Sequence, residues 1–450
     1  MTKNMTQGNP MRVIFTFSLP MLLGGIFQQI YNITDALVLG NFVGSRALAA
    51  VGATASATFF LLAVASGLTN AFSIVIAQYF GAGDEKKVRR TAAGTIYIMA
   101  AVGIVLSLAG IFGARPLLEL LQVPEDIRDQ SVVYIRICVG GSAGQIVYNG
   151  AASILRAVGD SRTPLYFLIF STVLNVGMDV LFVAILHMGV AGAATATILS
   201  QITAAVLCVV YIYRRFTIFR LHKGDFRPEL KIIGIIIKIG LSMSIQSILL
   251  SIGEMTVSAV VNGFGTDVVA AYTTGIRVHQ IVALVFLNLS QAFAVYAGQN
   301  LGAGKLNRIE EGFKKVALLI LGLSVVAGIF IFCFGEQFVR VFISSSDTHV
   351  DNVVKVAGGM LRIISFFYPF QGLIWLYNNT MRGMGEVMIP LISGIIELAV
   401  KVGLSIILAG LFGYVGIWYA GPIGWVLGML PAFIWLHSGK WKNHADKIVG

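Results

Sequence analysis

The chain alternates long apolar stretches with short polar connections along its whole length. Each stretch has about 20 residues or more, which is the length that an α-helix needs to cross the hydrocarbon core of a bilayer. Twelve such stretches occur, at about 13–39, 47–79, 91–113, 131–155, 164–186, 190–213, 232–262, 268–299, 316–334, 352–381, 387–410 and 415–437. The pattern predicts an all-α membrane protein with twelve transmembrane helices.

The composition agrees with this prediction. Of the 450 residues, 57% are hydrophobic and only 12% are charged, whereas about 25% are charged in an average soluble domain. The first stretch has no small-residue cleavage site, so we expect it to be a retained helix rather than a signal peptide.

Positive charge is concentrated on one side of the predicted membrane. The formal net charge is +11, and most basic residues follow even-numbered spans or lie at the termini, where Lys3, Arg12, Lys440, Lys442 and Lys447 occur. The positive-inside rule therefore predicts that both termini are cytoplasmic. Membrane topology accounts for the charge, so no nucleic-acid partner is expected.

The two halves of the chain repeat each other. A shift of 221 residues aligns NFVGSRALAAVG (41–52) with NGFGTDVVAAYT (262–273). A shift of 226 aligns RAVGDSRTPL (156–165) with RGMGEVMIPL (382–391). Glycine and alanine match by chance in many membrane proteins, but matches at asparagine, arginine and proline in constant register favour a real duplication.

The repeat predicts two pseudo-symmetric six-helix lobes. Residues 1–213 would form the first lobe and residues 232–450 the second, and the basic segment 214–231 would link them on the cytoplasmic side. Parallel repeats of this kind suit transport by alternating access, in which a cleft opens to one side of the membrane and then to the other.

Four acidic residues lie deep within predicted spans, namely Asp35, Asp179, Glu254 and Glu397. A charged side chain costs several kcal/mol there, on the order of 3, unless it is paired or hydrated, so each acid is a functional candidate. The alternative for each is a buried ion pair that only fixes helix packing.

Counting nearby cations separates these alternatives. In the first half the two aspartates stand against a single buried cation, Arg136, which lies in a different span. In the second half Arg277, Arg362 and Lys401 outnumber the two glutamates, and Lys401 follows Glu397 by one helical turn, the favourable order for an ion pair. An ion site is therefore expected in the first half.

The ligands of that site are predicted from depth and spacing. Asn175 and Asp179 are four residues apart and share one helix face. Thr197 lies at a similar depth on the returning helix, and Asp35 is near the outer end of the first span. These oxygens suit a hard cation such as Na⁺, or the two carboxyl groups could carry protons instead. Asn175 and Thr197 could also be helix-packing residues.

The segments YNITDALVLGNFVGSRALAAVG and LNVGMDVLFVAILHMGVAGAATATILSQ, together with the repeated blocks, resemble the multidrug and toxic compound extrusion (MATE) family, and most nearly its bacterial DinF/MepA-like branch. The resemblance implies a monomeric, V-shaped antiporter of the bacterial cytoplasmic membrane that exports cationic or amphipathic compounds against H⁺ or Na⁺. It implies the ion-coupling roles of Asp35, Asn175, Asp179 and Thr197.

The resemblance also bears on motion and on the second lobe. Pro20 interrupts the first span and predicts a bend, and in relatives such a bend is proposed to follow protonation. Some relatives have a glutamate in the seventh span, and this resemblance favours a role for Glu254 in binding substrate or ion. The alternative is a structural ion pair in which Arg277 on the next helix neutralises Glu254. Relatives of another branch carry an acid in the tenth span, which this chain lacks at 352–381.

Candidates for the substrate cleft are polar, aromatic or methionine side chains within spans. They are Gln28, Gln29, Tyr31, Asn32, Tyr148, Asn149 and Met178. Each could equally be a packing contact.

The chain lacks the motifs of other transport and enzyme classes. The segment GAGDEKK (81–87) lacks the Gly-Lys-Ser/Thr of a nucleotide-binding loop, and no soluble domain carries a catalytic triad, so we expect a non-enzyme without an organic cofactor. The main alternative is a lipid-linked oligosaccharide flippase of related architecture. A channel or membrane scaffold is a third possibility.

Overall fold

The computed structural model describes residues 4–342, 350–439 and 441–442, and these residues are largely α-helical. Lys3, Lys440 and Lys447, which contribute to the predicted terminal charge, lie outside the described residues. The first half contains α1 (Pro10–Phe42), α2 (Ser45–Gly81), α3 (Glu85–Leu120), α4 (Glu125–Cys138), α5 (Ala143–Ala157), α6 (Arg162–Asp179) and α7 (Gly189–Arg215). The second contains α8 (Leu230–Asn262), α9 (Thr266–Gly302), α10 (Leu306–Val341), α11 (Val350–Phe366), α12 (Tyr368–Gly383), α13 (Met388–Phe412) and α14 (Tyr414–His437).

The predicted repeat is confirmed helix by helix. Helices α1 and α8 both have 33 residues, α2 and α9 both have 37, and α3 and α10 both have 36. In each half a pair of short helices follows, and then two further long helical segments. The chain therefore has the pseudo-symmetric organisation of two six-span halves.

Left-handed backbone positions recur at the same two shifts. The pairs with positive φ are Gly44 and Gly265, Gly83 and Gly304, Gly159 and Gly385, and His187 and Gly413. The first two pairs are 221 residues apart and the last two are 226 apart. Turns that require positive φ favour glycine because a Cβ atom is strained there, so the two halves share their turn geometry as well as their helix lengths.

Two predicted spans are broken rather than continuous. Within the described residues ten single helices are long and apolar enough to cross a membrane, and α11 with α12 forms an eleventh span bent by 53°. Pro369, the second residue of α12, has no N–H group to continue the hydrogen-bond ladder of α11. Helices α4 and α5 correspond to the remaining predicted span, 131–155.

The break between α4 and α5 follows from close helix packing. At Gly140 a Cβ atom would lie 3.1 Å from the Ile111 side chain of α3, and at Gly110 on α3 it would lie 2.7 Å from the Gly140 nitrogen. Only residues without side chains fit at this approach, and the pair Gly140–Gly141 ends the helix there.

The described chain forms two compact units. One comprises Leu19–Ser244, and the other comprises Met5–Ser18 together with the described residues from Ile245 onward. Each boundary falls inside the first helix of a half, in α1 beside Pro20 and in α8 after Ser244. The N-terminal segment is fixed in the second unit, because the Met5 amide donates to Gln299 at 2.9 Å and Lys305 donates to the Thr6 carbonyl at 2.9 Å.

The basic segment 214–231 is attached to α3 by its two acids. Asp225 lies 3.5 Å from Arg89, and Glu229 lies 2.9 Å from Arg90. The His222 backbone amide donates to Asp225 at 2.9 Å, and this hydrogen bond, with the nearby Arg89 guanidinium, holds the pKa of the Asp225 carboxyl below its usual range. Ionisation of Asp225 therefore favours the attached linker at neutral pH.

Candidate functional site

The four predicted ligands Asp35, Asn175, Asp179 and Thr197 come from three helices of the first compact unit. The Thr197 hydroxyl of α7 donates to Asp35 of α1 at 3.3 Å. Asp35 of α1 and Asp179 of α6 are electrostatic neighbours. Asn175 lies one turn before Asp179 on α6, on the same helix face.

These side chains are buried without enough protein partners. Asn175 and Asp179 are 0% exposed. Among the described residues, both oxygens of Asp179, both polar atoms of the Asn175 amide and one oxygen of Asp35 have no hydrogen-bond partner. Leaving a buried polar atom unsatisfied costs about 1–3 kcal/mol, and two adjacent carboxylates also repel each other. The arrangement therefore favours a bound cation, water or proton.

The donor set fits a small hard cation. Carboxylate, amide and hydroxyl oxygens are the groups that bind such ions, and no thiol or imidazole is among them. Within the part of the chain that the structure describes, no group of three or more histidine, cysteine or acidic side chains could hold a metal ion. With two carboxylates, the set suits a monovalent ion or protons better than a transition metal.

The helix changes its geometry directly after Asp179. Residues Val180–Ile185 form a π-helical turn that continues α6, and His187 then has positive φ at the tight turn into α7. A π-helical turn is a local widening of the helix and is frequent at functional sites. The predicted span 164–186 is thus helical throughout, and its last turns are wound differently from the rest.

An apolar cluster lies beside the site on the same helices. Leu39 of α1, Ala47 of α2, Val183 of the π-helical turn and Val190 of α7 are buried against each other. Leu39 is one turn beyond Asp35, and Val183 is one turn beyond Asp179. The cluster excludes water from that side, which strengthens electrostatic interactions at the carboxylates.

Tyr134, Cys138 and Gln201 were not predicted as site residues. Tyr134 of α4 interacts with Cys138 and lies within electrostatic range of Asp35 and Tyr31. Gln201 is one turn beyond Thr197, and within the described chain its side-chain oxygen is buried without a partner. Tyr134 and Cys138 lie in a span that was assigned by hydropathy alone, and hydropathy carries no signal for their position beside the aspartates.

Arg136, the one cation expected near the aspartates, does not pair with either. Its side chain is exposed and its Nε donates to the Ile111 carbonyl at 3.2 Å. The expectation of a buried Arg136 was therefore wrong. The equivalent residue of the second half, Arg362, lies 2.9 Å from Glu336 instead of facing the glutamates of α8 and α13.

A second charged cluster lies in the other compact unit. The Lys401 ammonium of α13 forms an ion pair with Glu254 of α8, and the Tyr272 hydroxyl of α9 donates to Glu254 at 3.0 Å. Arg277 is exposed and is not the partner of Glu254. Lys401 likewise pairs across helices rather than with Glu397 one turn away, so the two pairings suggested by the sequence are not the ones that form.

Aromatic side chains surround this second cluster. His279 is stacked between Tyr368 and Trp425, with ring centroids 5.7 and 5.6 Å away. Its Nε2 contacts the Gln371 amide at 3.1 Å. Glu397 is buried beside Trp425. A cavity of about 190 Å³ is lined by His279, Gln371, Glu397 and Trp425 and also by the Glu254–Lys401 pair.

The remaining cleft candidates are placed as follows. Tyr31 is buried beside Thr197, whereas Gln28, Gln29 and Asn32 of α1 are exposed. Asn149 and Met178 are half-buried, and the Tyr148 hydroxyl donates to the Pro164 carbonyl at 3.1 Å, where it joins α5 to α6. A substrate role for these residues stays a prediction.

The chain is similar to known multidrug transporters over nearly its whole length. The MatE family model matches residues 20–181 and 242–407. The probable multidrug resistance protein YpnP of Bacillus subtilis is 29% identical over 442 residues, which cover 97% of each chain. The multidrug export protein MepA of Staphylococcus saprophyticus is 24% identical over 435 residues, which cover 96% of this chain and 94% of the relative.

Solved structures show the same fold. A crystal structure of MATE in the bent conformation is 22% identical, covers 99% of this chain and 100% of that chain, and gives a TM-score of 0.91. The structure in the straight conformation gives a TM-score of 0.90, covers 99% and 98% of the two chains, and is also 22% identical.

Proposed function

Because this chain belongs to the MATE family of membrane transporters, we propose that it is a secondary active multidrug exporter driven by an ion gradient. Relatives over its full length are named multidrug resistance and multidrug export proteins. Its substrates would be cationic or amphipathic small molecules. The energy would come from H⁺ or Na⁺ moving inward at the site formed by Asp35, Asn175, Asp179 and Thr197.

The observation that carries this proposal is the unpaired acidic cluster of the first unit. Asp179 has no hydrogen-bond partner for either oxygen within the described chain, so an arriving cation or proton gains a partner that the protein does not supply. The Glu254–Lys401 pair is different, because a fixed ammonium already neutralises the carboxylate. Coupling at the first cluster is therefore favoured over coupling at the second.

The distribution of charge supports one orientation in the membrane. The exposed basic residues of segment 214–231 lie on the same predicted side as the α2–α3 and α9–α10 turns, which carry Lys86 and Lys305. The positive-inside rule places this side in the cytoplasm of a bacterial cell. The protein would act as a monomer, with both termini at that face.

Proteoliposomes test the proposal directly. We expect a purified protein to export a cationic dye when a proton gradient or a sodium gradient is imposed, each in the absence of the other. The gradient that drives transport identifies the coupling ion. Equal dye flux with neither gradient would contradict secondary active transport and favour the channel alternative.

Pro20 is a hinge candidate within this mechanism. It interrupts the hydrogen-bond ladder of the continuous helix α1, and one boundary of the compact units lies beside it. We expect Pro20→Ala to restore the N–H donor for the Thr16 carbonyl, stiffen the helix and lower coupled dye efflux by about fivefold or more. Binding of the dye to detergent-solubilised protein should change little.

Pro116→Ala is the matched control, because Pro116 also lies inside a long helix of the same unit, in α3. This variant should transport at the rate of the wild type. If Pro20→Ala and Pro116→Ala transport equally well, α1 does not need a flexible point at Pro20.

A further inference from the structure

An apolar groove is present in the first compact unit. It has a volume of about 840 Å³ and lies between α3, α5, α7 and the linker segment 214–231. Ala100, Ile104 and Val147 line its length, and Tyr213, Phe219 and Phe226 line the end beside the linker. Ile104 and Tyr213 are 61% and 63% exposed, so the groove opens on the outer surface of the unit.

Basic residues surround the linker end of this groove. Tyr213 is followed by Arg214 and Arg215, Phe219 is followed by Arg220, and Phe226 is followed by Arg227. All four arginines are exposed. None has an acidic partner within ion-pair distance among the described residues, because both acids of the linker are paired with arginines of α3.

We propose that this groove binds an anionic phospholipid. One acyl chain would lie along α3 and α7, and the phosphate would contact the arginines that follow the aromatic lining residues. Helix faces at membrane depth meet lipid tails, which are as apolar as the lining of the groove. Clusters of basic residues at the end of membrane helices attract anionic headgroups. The occupant therefore needs both an apolar chain and a negative charge at the linker end.

Phospholipid binding to the full chain can be counted by native mass spectrometry after titration with dioleoyl phosphatidylglycerol or dioleoyl phosphatidylcholine. We expect phosphatidylglycerol to bind at least tenfold more tightly. Ala100→Trp, which fills the groove from an exposed position, should remove this tight binding. Arg220→Gln with Arg227→Gln should weaken it by at least tenfold, since each charge contributes about fivefold.

Two controls separate a groove site from general attraction to the protein. Val105 is 63% exposed on α3 but does not line the groove, so Val105→Trp should leave binding unchanged. Lys86→Gln with Lys314→Gln removes the same charge elsewhere and should weaken binding less than twofold. Equal affinity for the two lipids, equal losses in both double variants, or retained binding in Ala100→Trp would overturn the proposal.

A transported compound is the competing occupant. If a cationic dye displaces phosphatidylglycerol from the wild type at equimolar concentration, and Ala100→Trp abolishes dye binding, the groove is a substrate site and the lipid proposal is wrong. If the dye leaves phosphatidylglycerol bound, the lipid site is separate from substrate binding. The readout is lipid binding, so a failure of ion-coupled transport would not affect it.

Discussion

We expect Asp179→Asn to abolish gradient-driven dye efflux and to leave the protein at least as stable as the wild type. The substitution keeps the size of the side chain but removes the charge that would hold a cation or exchange a proton. In the wild type the carboxylate is 0% exposed, and its oxygens have no partner within the described chain. Removing this desolvated charge should raise the free energy of unfolding by up to about 1–3 kcal/mol.

The test is whether dye efflux and protein stability change in opposite directions. Efflux from proteoliposomes should fall to the level of empty vesicles under either gradient, while the melting temperature in detergent stays the same or rises. Asp35→Asn should behave similarly but with a smaller gain in stability, since Thr197 already donates to Asp35.

Asp126→Asn is the matched control for these variants, because Asp126 is an exposed aspartate at the start of α4 in the same unit. It should transport at the wild-type rate. Loss of both transport and stability in Asp179→Asn would mean that the carboxylate is structural. Gradient-dependent efflux in the double variant Asp35→Asn with Asp179→Asn would remove the basis of the proposed coupling site.

We expect the second unit to lose stability when the Glu254–Lys401 pair is broken. Lys401 is only 12% exposed at its side chain, whereas Glu254 is 53% exposed. Removing one partner of a fully buried pair costs about 3–5 kcal/mol, and exposed pairs contribute about 0.2–1 kcal/mol. We therefore expect Glu254→Gln, which strands the buried ammonium, to cost about 2–3 kcal/mol, and Lys401→Met to cost about 1–2 kcal/mol.

A double-mutant cycle measures the pair itself. Glu254→Gln with Lys401→Met should recover at least half of the larger loss, as judged by melting in detergent, because neither charge is then left alone. Arg277→Met is the control, since Arg277 is exposed and is not the partner of Glu254. Simple addition of the two single losses would show that the ion pair contributes nothing to stability.

The same double variant decides the role of Glu254. Gradient-driven efflux at the wild-type rate would assign the pair to packing alone. Loss of efflux in a stable double variant would show that the carboxylate serves transport and that Lys401 only holds it in the resting state.

The helical architecture could be predicted because hydropathy and repeats are properties of the chain itself. The shifts of 221 and 226 located the same turns that the structure forms with Gly44 and Gly265, and with Gly159 and Gly385. The break between α4 and α5 could not be predicted, since it depends on how closely Gly140 approaches α3. Such an approach is a property of packed helices and not of local composition.

The depth of the candidate site residues in the membrane could be predicted, but their neighbours on other helices could not. Counting residues from a turn gave comparable depths for Asp179 and Thr197, and Thr197 indeed contacts Asp35. The lateral neighbours depend on helix rotation, which hydropathy does not fix. For this reason Tyr134 was missed, Arg136 was wrongly placed inside, and Lys401 was given the wrong partner.

The tryptophans of the second unit provide an intrinsic fluorescent probe of its aromatic cavity. All five tryptophans lie after residue 374, and Trp375, Trp418 and Trp425 line that cavity. The carboxylates Asp35 and Asp179 belong to the other unit, which contains no tryptophan within Leu19–Ser244. Tryptophan fluorescence therefore records events in the second unit only, and an emission change that follows ion addition and disappears in Asp179→Asn would show that the ion site of the first unit affects the second unit.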